Sequence, residues 1–151
     1  MKPKTLIALA YGLAFSCAVQ AAPLVLYGHD RGLGERSPLT GTPNADAARD
    51  DFLDLVNDAV TEDFEGFREY AGYLTGLSLD FGALGTSTLQ STDQNQSMWV
   101  DAVTPGRTNT KGRYALSGAN YLQVSSSHFQ LNFSQPVSAF GFYGIDIGDF
   151  S

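Results

Sequence analysis

Residues Phe129–Phe133 read Phe-Gln-Leu-Asn-Phe, a strict alternation of apolar and polar side chains. A period of two belongs to a strand with one wet face. Leu77-Ser78-Leu79-Asp80-Phe81 repeats the pattern, and residues 86–90 form a short run rich in threonine. Met98-Trp99-Val100 is a brief apolar run, while residues 114–116 and 121–124 are two further strand candidates split by Ser117-Gly118. Residues 62–67 alternate more loosely, and residues 22–27 are apolar enough for a short strand. In residues 137–143 both alternating sets are apolar or small, so that strand is expected to be covered on both faces. One stretch has a different period. Ala48, Phe52, Leu55, Val56 and Ala59 recur at helical spacing within residues 45–60, which contain no Gly or Pro. Thr42, Pro43 and Asn44 precede them as capping residues. The spacing predicts an amphipathic helix of about four turns, packed by its Phe52 and Val56 side.

Many short strands after one helix indicate a mostly β protein: an antiparallel β-sandwich or jelly roll with one N-terminal amphipathic helix. The expected division is a leader over residues 1–21, a loop and helix over residues 22–60, and a sandwich domain over residues 61–151. A buried strand needs hydrogen-bonded neighbours on both sides, and residues 144–150 resemble a loop leaving for another strand. The domain is therefore expected to be incomplete, truncated at its C-terminus.

The leader changes what the rest can be. Lys2 and Lys4, an apolar stretch over residues 6–15 and small residues up to Ala21 have the form of a secretory signal cleaved after Ala21. Tyr11, Gly12, Ser16 and Gln20 leave its apolar run short of the roughly 18 to 20 residues a membrane span needs. The mature chain is thus expected to have no transmembrane span. A lipoprotein reading would use Cys17, although Ala14-Phe15-Ser16 matches the usual small-residue box poorly. Signal cleavage removes Cys17, the only cysteine, so stability must come from core burial, bound ions or partners. It also removes two lysines from a chain of net charge −7. Such acidity argues against nucleic-acid partners and against adhesion to anionic lipid.

Catalytic signals are sparse. Only His29 and His128 could serve a nucleophilic serine, and no Gly-x-Ser-x-Gly elbow occurs. Two distant histidines without cysteine give no transition-metal site. Gly32-Leu33-Gly34 lacks the third glycine and the helix of a dinucleotide loop. Glu62, Asp63, Glu65 and Glu69 are numerous enough for a paired-carboxylate glycosidase, with Asp146 or Asp149 as partner. Calcium suits the same residues. Asp146 and Asp149 flank Gly148 in one turn, and Glu65 could complete an oxygen cage with them. A solvated turn is the plainer reading of that run. Among the aromatic residues, Trp99 follows a polar loop and precedes a turn, so it is the candidate for stacking on a sugar ring.

Particular strings carry a family likeness. Residues 42–50 followed by Phe52-Leu53, then Thr61-Glu62-Asp63-Phe64-Glu65-Gly66-Phe67, Gly112-Arg113-Tyr114 and residues 136–150 resemble the extracellular part of bacterial PEP-CTERM-class proteins. The resemblance spans about residues 42–150 and implies a surface or exopolysaccharide-associated protein. The class is defined by a Pro-Glu-Pro motif, an apolar segment and a basic cluster, and that sorting tail is absent here. The expectation is an exported, non-catalytic module, secreted or on the cell envelope surface, associated with extracellular polysaccharide or other surface proteins. The alternatives are a secreted carbohydrate-active hydrolase with a carboxylate pair around Glu65 and Asp146, and a purely structural surface protein.

Overall fold

Two antiparallel sheets and one helix carry the regular structure of the computed structural model, which describes residues 22–32, 34, 36–93, 97–125 and 128–145. Helix α1 spans Pro43–Leu55, and the strands are β1 (Leu77–Asp80), β2 (Thr86–Ser91), β3 (Met98–Ala102), β4 (Asn120–Val124) and β5 (Phe129–Phe133). A short 3-10 turn, Gly82–Leu84, joins β1 to β2. The first sheet runs β1-β2-β5 and the second pairs β3 with β4.

Register follows from the period of two. Leu77 faces Leu89, Leu89 faces Leu131, and Met98 and Val100 face Val124 and Leu122. Leu77, Leu79 and Leu89 of the first sheet and Met98 and Val100 of the second are buried in a single cluster. Phe64, Phe67, Ala71, Phe81, Leu122, Val124 and Leu131 pack around it. Each fully buried Leu, Met or Val contributes about 1.5–3 kcal/mol, so this small cluster is the main apolar stabilisation of the sheets.

The helix is not N-terminal. It follows a coil through residues 22–32 and stops at Leu55, short of the expected Val60. Asp58 takes a left-handed backbone, φ 57°, which no helix can continue through. None of the helix's residues is buried, and Leu55 is 63 % exposed, so the expected packing through Phe52 and Val56 is partial. Its cap also comes from elsewhere. Thr42 makes no side-chain cap bond. Asp30 instead accepts the N–H of Asn44 at 3.1 Å on Oδ1 and that of Ala45 at 2.9 Å on Oδ2. Pro43 has no N–H to satisfy, and Asp46 N–H begins the helical ladder to Thr42 O. Gly28 brings the capping loop this close, since a Cβ there would run into the Asn44 carbonyl.

Four expected strands are absent, each for a local reason. Residues 22–27 are coil with Leu24, Val25 and Tyr27 exposed, because apolar composition supplies no ladder by itself. Residues 62–67 turn: Glu62 Oε1 accepts Phe64 N–H at 2.6 Å and Asp63 Oδ1 accepts Glu65 N–H at 3.0 Å. Such local caps compete with strand pairing. Tyr114 is buried outside any strand, its hydroxyl accepting Leu39 N–H at 3.1 Å. Residues 137–143 are neither paired nor covered, with Phe140 54 % and Phe142 69 % exposed. This segment leaves the sheet for the helix, where Gly141 lies against the Phe52 ring and Tyr143 Oη donates to Asp46 Oδ1 at 2.8 Å.

Candidate functional site

The face of β3 and β4 opposite Met98 and Val100 carries a connected set of polar side chains, of which Gln123 is itself buried. Alternation places Trp99 and Asp101 of β3 on it, opposite Gln123 and Tyr121 of β4. Tyr121 Oη donates to Asp101 Oδ2 at 2.7 Å. Asn109 reaches in from the loop between the strands, its Nδ2 lying 2.8 Å from Tyr121 Oη, 3.1 Å from Gln123 Oε1 and 3.2 Å from Asp101 Oδ2. Asn109 Oδ1 in turn accepts the N–H groups of Lys111 and Arg113, at 2.9 and 3.0 Å. Burial pushes the Tyr121 phenol above its ordinary range, and the hydrogen bond and negative charge of Asp101 push it further, against opposition from Asn109 and Arg113. Tyr121 therefore remains a neutral donor to Asp101.

An aromatic rim borders this floor. Trp99 is half-buried and meets Tyr73 edge to face, with centroids 5.6 Å apart. Tyr73, Tyr70 and Leu74 stand on the turn before β1 and are 48 %, 60 % and 74 % exposed. Tyr70 and Leu74 adopt left-handed backbone, φ 63° and 65°. For bulky residues this costs about 1–2 kcal/mol each. Two backbone bonds sustain the strain: Tyr70 N–H donates to Val100 O at 2.8 Å and Val100 N–H donates to Ala71 O at 3.0 Å. The turn thus brings Tyr73 against Trp99, on the strand that also carries Asp101, with Tyr70 and Leu74 exposed on the same turn.

The other expected residues lie elsewhere. Glu65 Oε1 accepts the N–H groups of Ala119 and Asn120, each at 2.7 Å. Gly118, at φ +63°, leaves room for that carboxylate, and a side chain there would collide with it. Asn120 Nδ2 completes the clasp by donating to Phe64 O and Phe67 O, both at 2.9 Å. Glu65 thus joins the turn over residues 62–67 to the start of β4. Asp146 and Asp149, the other expected calcium ligands, and Ala21 of the expected cleavage site lie outside the described residues. Among the described residues no three His, Cys, Asp or Glu side chains gather as metal ligands. His29 belongs to the loop that caps α1, and His128, its side chain 74 % exposed, precedes β5 and lies beside Asp93. Open clefts flank the first turn of α1, but Asp30 already takes the amide positions an anion would use.

Sequence reasoning named Trp99 and Tyr73 among the aromatic candidates without placing them in contact, and it did not single out Asn109 or Gln123. Gln123 was legible as the polar alternate of a strand, whereas Asn109 sits in a loop whose return to the sheet leaves no periodic trace. Comparison with protein families, curated protein sequences and solved structures finds no match to this chain.

Proposed function

We propose that this protein is an exported, non-catalytic β-sandwich module of the cell surface or extracellular matrix, binding neutral polysaccharide through the Trp99 face. The observation that carries the reading is the Trp99–Tyr73 pair on the rim of a satisfied polar floor. Aromatic rings offer flat apolar faces to the C–H groups of a sugar, while amide and carboxylate groups suit its hydroxyls. Asp101 within the floor, and the net charge of −7, favour an uncharged chain over an acidic one. A shared cluster of buried residues from both sheets supports the sandwich. The leader and the likeness to PEP-CTERM-class ectodomains support export and a surface location. Non-catalytic action fits the carboxylates of Glu62, Asp63 and Glu65, which are engaged by backbone N–H groups, local for the first two and at the start of β4 for Glu65.

Trp99 is the only tryptophan, so its emission reports binding directly. Titration with neutral glucans and mannans is expected to shift that emission. Replacing Tyr73 with Ala is expected to weaken binding about tenfold, with the circular dichroism unchanged. Affinity electrophoresis of Trp99→Ala supplies the matching loss. No retention by any polysaccharide, or retention indifferent to both replacements, would end this reading.

A further inference from the structure

The first sheet ends in β5, whose outer edge pairs with no strand among the described residues. The direction of its backbone groups follows from the bonds at its two ends. Ser134 N–H donates to Thr86 O at 2.8 Å and Thr92 N–H donates to His128 O at 3.2 Å. In an antiparallel ladder the bonded positions alternate, so residues 128, 130, 132 and 134 turn their N–H and C=O groups toward β2. Phe129, Leu131 and Phe133 turn theirs outward. Edge strands are normally guarded by charge, proline or a bulge. The opposite edge, β1, is four residues long and carries Asp80, while the sequence of β5 contains no charge and no proline. The apolar segment that follows does not fill the gap, because Gly141 and Tyr143 commit it to α1.

The strand is also its own complement. Read in either direction, Phe-Gln-Leu-Asn-Phe places an aromatic, an amide, a leucine, an amide and an aromatic. An antiparallel copy centred on Leu131 sets Phe129 against the partner's Phe133, Gln130 against the partner's Asn132, and Leu131 against the partner's Leu131. The three outward-facing positions then become the three hydrogen-bonded pairs, and each exchanges two bonds, about six in all. Both exposed amides meet across the non-bonded positions, where side chains approach most closely. Phe140, edge-on to Phe133 at 5.8 Å and 54 % exposed, stands beside the place the partner's Phe129 would take.

We infer that β5 is a self-association edge: two copies of this chain join in antiparallel fashion about a two-fold axis through Leu131, making one continuous six-stranded sheet. A two-fold interface requires a self-complementary patch, and here both the side chains and the backbone groups meet that condition in the same register. This inference is independent of the sugar face, which lies on the other sheet.

Sedimentation velocity over a wide concentration range is expected to show a monomer–dimer equilibrium. Amide exchange at Phe129, Leu131 and Phe133 should slow as concentration rises, while Gln130 and Asn132, bonded to β2 in either state, should be protected throughout. The double replacement Gln130→Lys with Asn132→Lys opposes like charges across the axis and should weaken the dimer at least about tenfold. Gln130→Glu with Asn132→Lys alters the same exposed positions but opposes unlike charges, and should retain it. A monomer at every concentration up to about 1 mM would overturn the inference, since an edge weaker than that has no specific partner in itself. So would a dimer that leaves the three outward amides unprotected, or one that treats both double variants alike.

Discussion

Ser87 is the least comfortable residue in the core. It is 2 % exposed, faces Leu79 and Phe133 across the sheet, and its hydroxyl has no hydrogen-bond partner. A buried hydroxyl without a partner forfeits its hydration, at a cost of about 1–3 kcal/mol. Ser87→Ala is therefore expected to stabilise the protein by about 1 kcal/mol, read as a higher urea midpoint with an unchanged slope. Leu74 presents the opposite case, a surface residue held in strain. Glycine adopts its left-handed backbone freely but loses more entropy on folding, so Leu74→Gly should gain about 0.5 kcal/mol net. If this turn contacts polysaccharide, the same replacement should lower affinity, and the two measurements moving in opposite directions would mark the strain as functional. Trp99 could be singled out from the chain by its setting between a polar loop and a turn. The unpartnered Ser87 could not, because only the neighbours brought around it make its alternation with Leu89 costly.

At the scale of elements, α1 depends on a residue outside itself. Asp30 receives two backbone N–H groups and the Asn44 side chain, Nδ2 to Oδ1 at 2.8 Å. Desolvation, the largest single influence on its carboxyl, acts upward. The bonds from Ala45 and Asn44, with His29 nearby, outweigh it and hold the value below the ordinary 3.8. A depressed folded-state value means that the cap stabilises fully above about pH 4 and is lost as pH falls through the lower value. Asp30→Ala should reduce stability at pH 7, and the curves of the two proteins should converge in acid. Thermal melts followed at the helical circular dichroism band across pH 2–7 test this. Periodicity marked the helix and Pro43 marked its start. The capping residue was hidden because Asp30 lies 14 positions before Asn44, in a loop without a pattern.

The whole molecule is held together by a few ties between segments distant in the chain. Tyr143 joins the segment after β5 to α1, and its phenol is pushed up to about 12, first by burial, then by the hydrogen bond to and charge of Asp46. A raised folded-state value stabilises fully below the unfolded value of 10 and is lost as pH climbs through about 12. Tyr143→Phe should remove that part of the alkaline destabilisation, visible as a smaller fall in melting temperature between pH 10 and 12. The five strands and the single helix were legible in the sequence, because alternation and helical spacing are properties of neighbouring residues, but the same signals also marked four segments that form no strand and carried the helix past Leu55. The sequence also carried the acidity and the self-complementary order of β5. Only the tertiary structure decided that residues 137–143 serve the helix instead of a sheet, that Glu65 clasps a turn, and that Asn109 and Tyr73 meet the Trp99 face. Those outcomes depend on which distant backbone amides and rings come within about 3–6 Å, and a one-dimensional pattern encodes no such distance.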